Sequence, residues 1–293
     1  MKKKQVIFCM SLGVISLFTS CTSGDPELDL APLAKETATT QDDTLDPTKG
    51  KIVLNLNPNA SFIAQTTRAL SEDNYRNVAN YQVQVFNNDS PSDLIVNCKF
   101  SELDSYMPSS FQPGNYTVKA FYGTEENYSR NSFYVEGVKN NVSVIAGSKT
   151  NVQLTCTPTC GKLSVVFDGE MSTYYSAYEV KFSQAEAFGG STINWSATDT
   201  EPWYVKLNAS GETLRYTINV TAKDEYTYTD ALGNKKANGT VSNEFQLERN
   251  RAYKLTVKPD YTAATEGGLK VIIEIDEGTN PIDVSVVVPI EWL

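Results

Sequence analysis

From Gly50 onward, apolar and polar residues alternate in short runs, and that period of two leaves the chain little choice of fold. In GKIVLNL (50–56) Ile52, Leu54 and Leu56 share one side; in YQVQVF (81–86) Tyr81, Val83 and Val85 do; in YTVKAF (116–121) Tyr116, Val118 and Ala120 do. Successive side chains of an extended chain point to opposite faces, so each run makes a strand with one buried face. The runs are rich in Tyr and Val, and clusters of Gly, Pro, Asn and Ser break them and turn the chain. Helical periodicity is nearly absent, and only Ser71 to Ala79 is expected to form a turn or two of helix. The expected class is all-β, built of antiparallel strands.

The runs also recur. GKIVLNL at 50–56 returns as GKLSVVF at 161–167, YQVQVF at 81–86 as YEVKFS at 178–183, and NYTVKAF at 115–121 as RYTINVT at 215–221. VSVIAGSKTNVQLTC at 142–156 then matches EFQLERNRAYKLTV at 244–257, a polar turn joining two strands in each. A spacing of about 110 residues, kept in order, is the size of a domain rather than of a solenoid unit. Alternating strands resemble one another cheaply, so chance likeness competes with duplication as the explanation. The organisation expected is two tandem antiparallel β-sandwich domains, 50–157 and 158–293, the second closed by a hairpin that begins at GGLKVIIEID (267–276) and turns at DEGTNP.

Ahead of the strands the chain reads differently. Lys2, Lys3 and Lys4 precede an apolar run from Val6 to Phe18, whose 13 residues are too few for a spanning helix. With Thr19, Ser20 and Cys21 behind it, this is the order of a secretory signal, residues 1–20. Phe18-Thr19-Ser20-Cys21 resembles a bacterial lipobox, with Phe18 where Leu is commoner; the alternative is an ordinary signal peptide with a chance cysteine. The lipobox resemblance implies that Cys21 carries several acyl chains and becomes the first mature residue. One acyl chain holds only marginally and several hold essentially permanently. Asp25, Glu27 and Asp29 resemble the acidic signal that sends some lipoproteins to the outer face of the outer membrane. Residues 21–49, rich in Thr, Asp, Pro and Ala without apolar periodicity, read as a flexible stalk.

Charge and composition exclude much. With 25 Lys plus Arg against 35 Asp plus Glu the net charge is -10, which argues against nucleic acid as a partner. The chain has no histidine, so Ser-His-Asp and Cys-His nucleophile activation are absent, and so is the commonest zinc ligand. GxSxG, P-loop and GxGxxG motifs are missing too. The expectation is a protein that is not an enzyme and that needs no cofactor or metal.

The lipobox, acidic leader, glycine-led strand, TTRA at 66–69, PGNYTVKAF at 113–121 and the repeat together resemble a family of surface lipoproteins known only as a domain of unknown function. That family is similar in architecture to the fimbrillin-like proteins of type V pili. The resemblance implies transthyretin-like or Ig-like sandwiches and a surface address, and no catalytic residues. Fimbrillin-like pilins shed their first strand by cleavage after an arginine and take a neighbour's strand instead. Here Arg68, in AQTTRALSE, is the candidate cleavage site. The terminal run IDVSVVVPIEWL, with Ile282, Val284, Val286, Val288, Ile290 and Trp292 on one face, is a candidate donor strand. The simpler alternative is that this run closes its own sheet and Arg68 is a loop residue.

Other residues invite chemistry. Cys156 and Cys160 flank Thr-Pro-Thr, close enough for a disulfide across a turn in an exported protein, or else two buried thiols; Cys98 reads as a small core residue. Trp195, Trp203 and Tyr204, with Asp199 and Glu201 between them, suit a sugar ring, although sandwich cores use the same residues. Asp168 with Glu170 and Asp276 with Glu277 are paired acids in turn contexts, conceivable for glycoside hydrolysis or calcium but with no specific spacing. Three functions follow: a non-enzymatic surface lipoprotein of adhesin or fimbria-associated type, serving as anchor or tip with other fimbrial subunits as partners; a lipoprotein of a nutrient-uptake system that binds host or dietary glycans; and a histidine-free hydrolase.

Overall fold

The computed structural model describes residues 39–41, 46–59, 72–229, 232–259, 269–275 and 282–286. The strands of the first half are β1 (Thr39–Gln41), β2 (Lys51–Pro58), β3 (Gln82–Asn87), β4 (Ser90–Lys99), β5 (Gly114–Gly123), β6 (Tyr128–Ser129), β7 (Tyr134–Val144) and β8 (Ser148–Pro158). Those of the second are β9 (Cys160–Phe167), β10 (Tyr175–Ser183), β11 (Ile193–Ser196), β12 (Trp203–Lys206), β13 (Glu212–Ala222), β14 (Tyr228–Thr229), β15 (Lys235–Lys236), β16 (Asn238–Leu247), β17 (Ala252–Pro259), β18 (Leu269–Ile275) and β19 (Ile282–Val286). The fold is all-β. The helix expected over Ser71–Ala79 is a pair of 3-10 turns, Glu72–Tyr75 and Val78–Asn80, the second capped by Asn77, whose side chain accepts the Ala79 N–H at 3.1 Å. Single turns of α-helix at Leu103–Tyr106 and Met171–Tyr174 were not legible in the sequence.

Alternation sets the cores. In β5 Tyr116, Val118 and Ala120 are buried and their neighbours face out; β2 buries Ile52 and Leu54, and β3 buries Val83 and Val85 beside Tyr81. These side chains join Val152, Leu154 and Cys156 of β8 in one cluster. A second cluster gathers Leu163 and Val165 of β9, Val180 and Phe182 of β10, Leu214, Tyr216 and Ile218 of β13, and Tyr253, Leu255 and Val257 of β17. Each fully buried aliphatic side chain contributes about 1.5–3 kcal/mol relative to exposure.

The ladders repeat along with the sequence. β3 pairs antiparallel with β5 and β5 with β7; β10 pairs antiparallel with β13 and β13 with β16. One ladder in each half differs from the expected antiparallel pattern. β2 runs parallel to β8, Lys51 opposite Lys149 through Pro58 opposite Cys156, and β9 runs parallel to β17, Ala252 opposite Lys162 through Val257 opposite Phe167. The first and last strands of each repeat thus lie side by side. Parallel and antiparallel ladders share the period of two, so the residue pattern does not tell them apart. Outside these, the order of the second half's larger sheet is β19-β18-β17-β9-β12-β6, and its smaller sheet is β11-β10-β13-β16.

The terminal hairpin forms as expected, Leu269 opposite Val286 and Ile273 opposite Ile282. Ile282, Val284 and Val286 therefore belong to a strand paired within its own sheet, at that sheet's edge. Val288, Ile290 and Trp292 lie outside the described residues, as do Cys21, Arg68, Asp276 and Glu277.

Leu255 is fully buried on β17, between β9 and β18. Leu255→Ala is expected to cost about 2–5 kcal/mol, read as a lower guanidinium midpoint at unchanged slope. Burial also pushes the Tyr216 phenol up to about 12 and the Cys156 thiol up to about 11. Both groups lose protons more easily in the unfolded chain, near pH 10 and about 8.5. The stability they contribute is complete below about pH 8.5 and is lost as pH rises toward their folded values, so the midpoint is expected to fall between about pH 8 and pH 11.

Candidate functional site at the joint between the cores

The two cores share a boundary. Along β9 and β12 alternate side chains go opposite ways: Leu163, Val165 and Val205 enter the second core, whereas Cys160 and Tyr204 enter the first, with Ala252 of β17 packed against it. This part of the six-stranded sheet is buried on both faces. The first half reaches across as well, β6 adding to β12 with Ser129 opposite Tyr204 and Tyr128 opposite Val205.

On the doubly buried strand stands Lys162, 3% exposed. Its Nζ lies 2.8 Å from Oε1 of Glu72, on the first-half 3-10 turn and 4% exposed, and the Tyr204 hydroxyl donates to the same oxygen. Among the described residues Glu72 Oε2 has no partner. The turn that carries Glu72 is anchored by Tyr75, whose ring stacks on Phe133 at 3.7 Å between centroids and whose carbonyl accepts the Tyr81 hydroxyl at 2.7 Å. A buried charge is tolerable only when paired and hydrogen-bonded, so Lys162 fixes where Glu72 must be.

A second cross-connection is Arg130, on the first-half segment that follows β6. Its guanidinium sits 4.9 Å from the Trp195 ring centre and 4.5 Å from that of Trp203, 3.0 Å from Asp199 Oδ1, and donates to the Glu201 carbonyl at 2.9 Å. The planar, weakly hydrated guanidinium suits a slot between rings. Asp199 also takes the Ser196 N–H at 2.7 Å. Burial alone would raise its pKa, but the Ser196 hydrogen bonds and the Arg130 charge hold it below the usual carboxylate range.

The aromatic residues singled out for sugar binding are therefore placed together, but not as an open face. Trp195 is 0% exposed and donates Nε1–H to the Asp199 carbonyl at 3.1 Å; Tyr204 is 2% exposed in the first core; Trp203 is covered by Arg130 and touches Tyr128 edge-on. The strand INWS puts Ile193 and Trp195 on its inward side, so the alternation that makes β11 also buries the tryptophan.

Beside the joint opens a cleft of about 290 Å³ lined by Asn127 of the first half and by Glu186, Lys206, Asn208, Glu212 and Arg249 of the second. Three of its charged side chains, Glu212, Lys206 and Arg249, are engaged in structure. The two Glu212 oxygens accept the Glu186 and Asn208 N–H groups, Lys206 meets Glu125 at 2.7 Å, and Arg249 Nε donates to the Leu207 carbonyl at 2.7 Å.

Cys156 and Cys160 are free and buried, as is Cys98, so the disulfide considered from their spacing is not formed. The chain runs from β8 into β9 through a single bend at Thr159 instead of turning back on itself; Cys156 lies within β8, two residues before its end, and Cys160 begins β9. Burial pushes all three thiols up, away from the reactive thiolate. Asp168 Oδ1 accepts the Glu170 N–H at 2.9 Å in a turn, the structural use its context suggested. Among the described residues no three Cys, Asp or Glu are grouped to hold a metal, and no helix is long and apolar enough to cross a membrane.

Fold and site together define an all-β protein with two hydrophobic cores whose buried charged groups tie one core to the other. The chain belongs to the family described as Domain of unknown function (DUF4493), whose model matches residues 48–290. It is similar to the crystal structure of a fimbrial assembly protein from Parabacteroides distasonis (9% identity, 84% of this chain and 100% of that one, TM-score 0.42). It is also similar to a "putative adhesin" from Bacteroides ovatus (10%, 80% and 95%, 0.39) and to "putative polysaccharide binding proteins" from Bacteroides thetaiotaomicron (10%, 80% and 98%, 0.43). No curated protein matches.

Removing one partner of the buried pair leaves the other uncompensated. Lys162→Met is expected to destabilise by about 3–5 kcal/mol in guanidinium unfolding, and the double variant Glu72→Leu/Lys162→Met to recover most of that loss.

Proposed function

We propose that this protein is a non-enzymatic lipoprotein held at the outer-membrane surface through Cys21, where it acts as an adhesin-type or fimbria-associated element, an anchor or a tip. The observation that carries this reading is the joint. Lys162, Glu72, Tyr204, Arg130, Trp195 and Trp203, the residues best equipped to bind or react, hold two β-sandwich cores in one relation. A fixed joint suits a part that transmits force from a membrane anchor to a distant contact. The absence of histidine from the sequence and the burial of the described thiols, which pushes them away from the reactive thiolate, support the non-enzymatic reading. The stalk expected over residues 21–49 is shorter than that, because Thr39–Gln41 pair with β8 as β1; the 17 residues 22–38 would still reach roughly 55 Å at about 3.3 Å each if extended, which supports the same reading.

Two measurements test it. Cys21→Ser is expected to move the protein from the membrane fraction to the soluble exported fraction, whereas retention in the membrane would refute the anchor. A deletion strain is expected to lose adhesion or to change its surface fibres, and unchanged behaviour in both assays would refute the surface role.

A further inference from the structure

The internal repeat supplies a control within one molecule. The strands β4-β3-β5-β7, one end of the first half's seven-stranded sheet, and the four-stranded sheet β11-β10-β13-β16 of the second correspond strand for strand in the repeat, and each turns one face away from its core. On the second sheet, outward positions of β10, β13 and β16 carry hydroxyls, amides and charges that satisfy one another. Thr217 meets Ser242 at 2.8 Å, Asn219 donates to Glu179 at 3.0 Å, and Arg215 pairs with Glu244 at 2.6 Å. The sequence match sets Phe121 against Thr221, Lys119 against Asn219, Gln84 against Lys181 and Phe86 against Ser183. The first sheet thus carries aromatic rings where its copy carries hydroxyls, at Phe86 and Phe121, and amide and charge change places at Gln84 and Lys119.

Those residues cluster. Phe121 and Tyr134, both half-buried, lie 5.7 Å apart between ring centres, with Lys119 Nζ 5.3 and 5.6 Å from them. Lys119 is neutralised by Glu136 at 3.1 Å. Gln82 stands opposite Phe121 in register and Gln84 opposite Lys119; both glutamines donate to Asn97 Oδ1, at 2.8 and 3.4 Å. Tyr134 faces Gly123, a position held at φ +91 where a Cβ would fall 1.9 Å from the Phe133 carbonyl oxygen, so no side chain can stand beside that ring. Next to Phe121 and Gln82 a groove of about 400 Å³ opens, with Asn80 and Thr124 on its walls.

From this cluster we infer that the outward face of the sheet β4-β3-β5-β7, from Gln84 and Asn97 across Phe121 and Tyr134 into the groove at Gly123, binds a neutral oligosaccharide. Ring faces accept the C–H surfaces of pyranoses, and a few amides fix the hydroxyls, the usual division between apolar area and orienting polar groups. Lys119 is paired with Glu136, Lys99 opposite Gln82 is the other cation of the face, and the chain carries a net charge of -10, so a polyanion is disfavoured. The inference gives the adhesive reading a ligand and rests on that reading only for the ligand's being outside the cell.

The test is native affinity electrophoresis of the purified full mature chain in gels carrying xylan, mannan or laminarin, with chondroitin sulfate as the polyanion. Retardation is expected in at least one neutral gel and not in the sulfated one. Phe121→Thr and Gln84→Lys, which install the second sheet's own residues, are expected to weaken it about tenfold, while Thr221→Ala leaves it unchanged. Thermal melts of each variant confirm the fold. No retardation in any neutral gel, or retardation that Phe121→Thr leaves intact, overturns the inference. If adhesion by whole cells then depends on Phe121 all the same, the face serves a protein partner, and the surface role stands without the sugar.

Discussion

A charge cannot be left in a dry interior without a partner, and Lys162 is buried where the two cores meet. Because β9 faces the second core with Leu163 and Val165 and the first with Cys160, the ammonium between them has no route to water. Glu72 reaches it from the first half of the chain, and Tyr204, from the second, donates its hydroxyl to the same Glu72 oxygen. Replacing such a pair by apolar residues is often neutral or stabilising, so its retention is not explained by stability alone. What the pair contributes is selection: any other packing of the halves would strand Lys162 or Glu72, and the same packing seats Arg130 between Trp195 and Trp203.

The parallel pairing of first and last strands prepares this arrangement. In each repeat the glycine-led strand lies against the closing strand, β2 on β8 and β9 on β17. As β8 passes into β9 through one bend, the end of the first repeat and the start of the second come directly together, with no linker to absorb motion. Gly161, for which a Cβ would stand 3.0 Å from the Glu248 carbonyl oxygen, keeps that passage close. Covalent continuity, the β6–β12 ladder and the buried ion pair all act at this one place.

Much of this was legible in residues read one strand at a time. Tyr81, Val83 and Val85, or Tyr116, Val118 and Ala120, announce their buried faces because alternation is a local property, and the order of matched runs showed the repeat. The joint was not legible, because its partners lie far apart: 90 residues separate Lys162 from Glu72 and 132 separate Tyr204 from Glu72. A lysine at an otherwise apolar strand start was the one available signal, and it is equally a feature of exposed strand ends. Trp195 and Trp203 misled for a related reason. Their composition matched a sugar site, but only Arg130, about 70 residues upstream and carrying no motif, decides that the slot between them is filled.

Two matching sets of strands give the chain two versions of each surface and one set of constraints on each core. The buried positions of β5 and β13 stay similar, Tyr116, Val118 and Ala120 against Tyr216, Ile218 and Val220, since both must fill a sandwich. Outward positions carry no such constraint, and there the copies part: Phe121 against Thr221, Lys119 against Asn219. Exposed aromatic area costs solubility and gains nothing for a core, so drift alone favours the hydroxyls and charges of the second sheet. The rings of the first sheet lie on its outward face, where they add nothing to the core behind them.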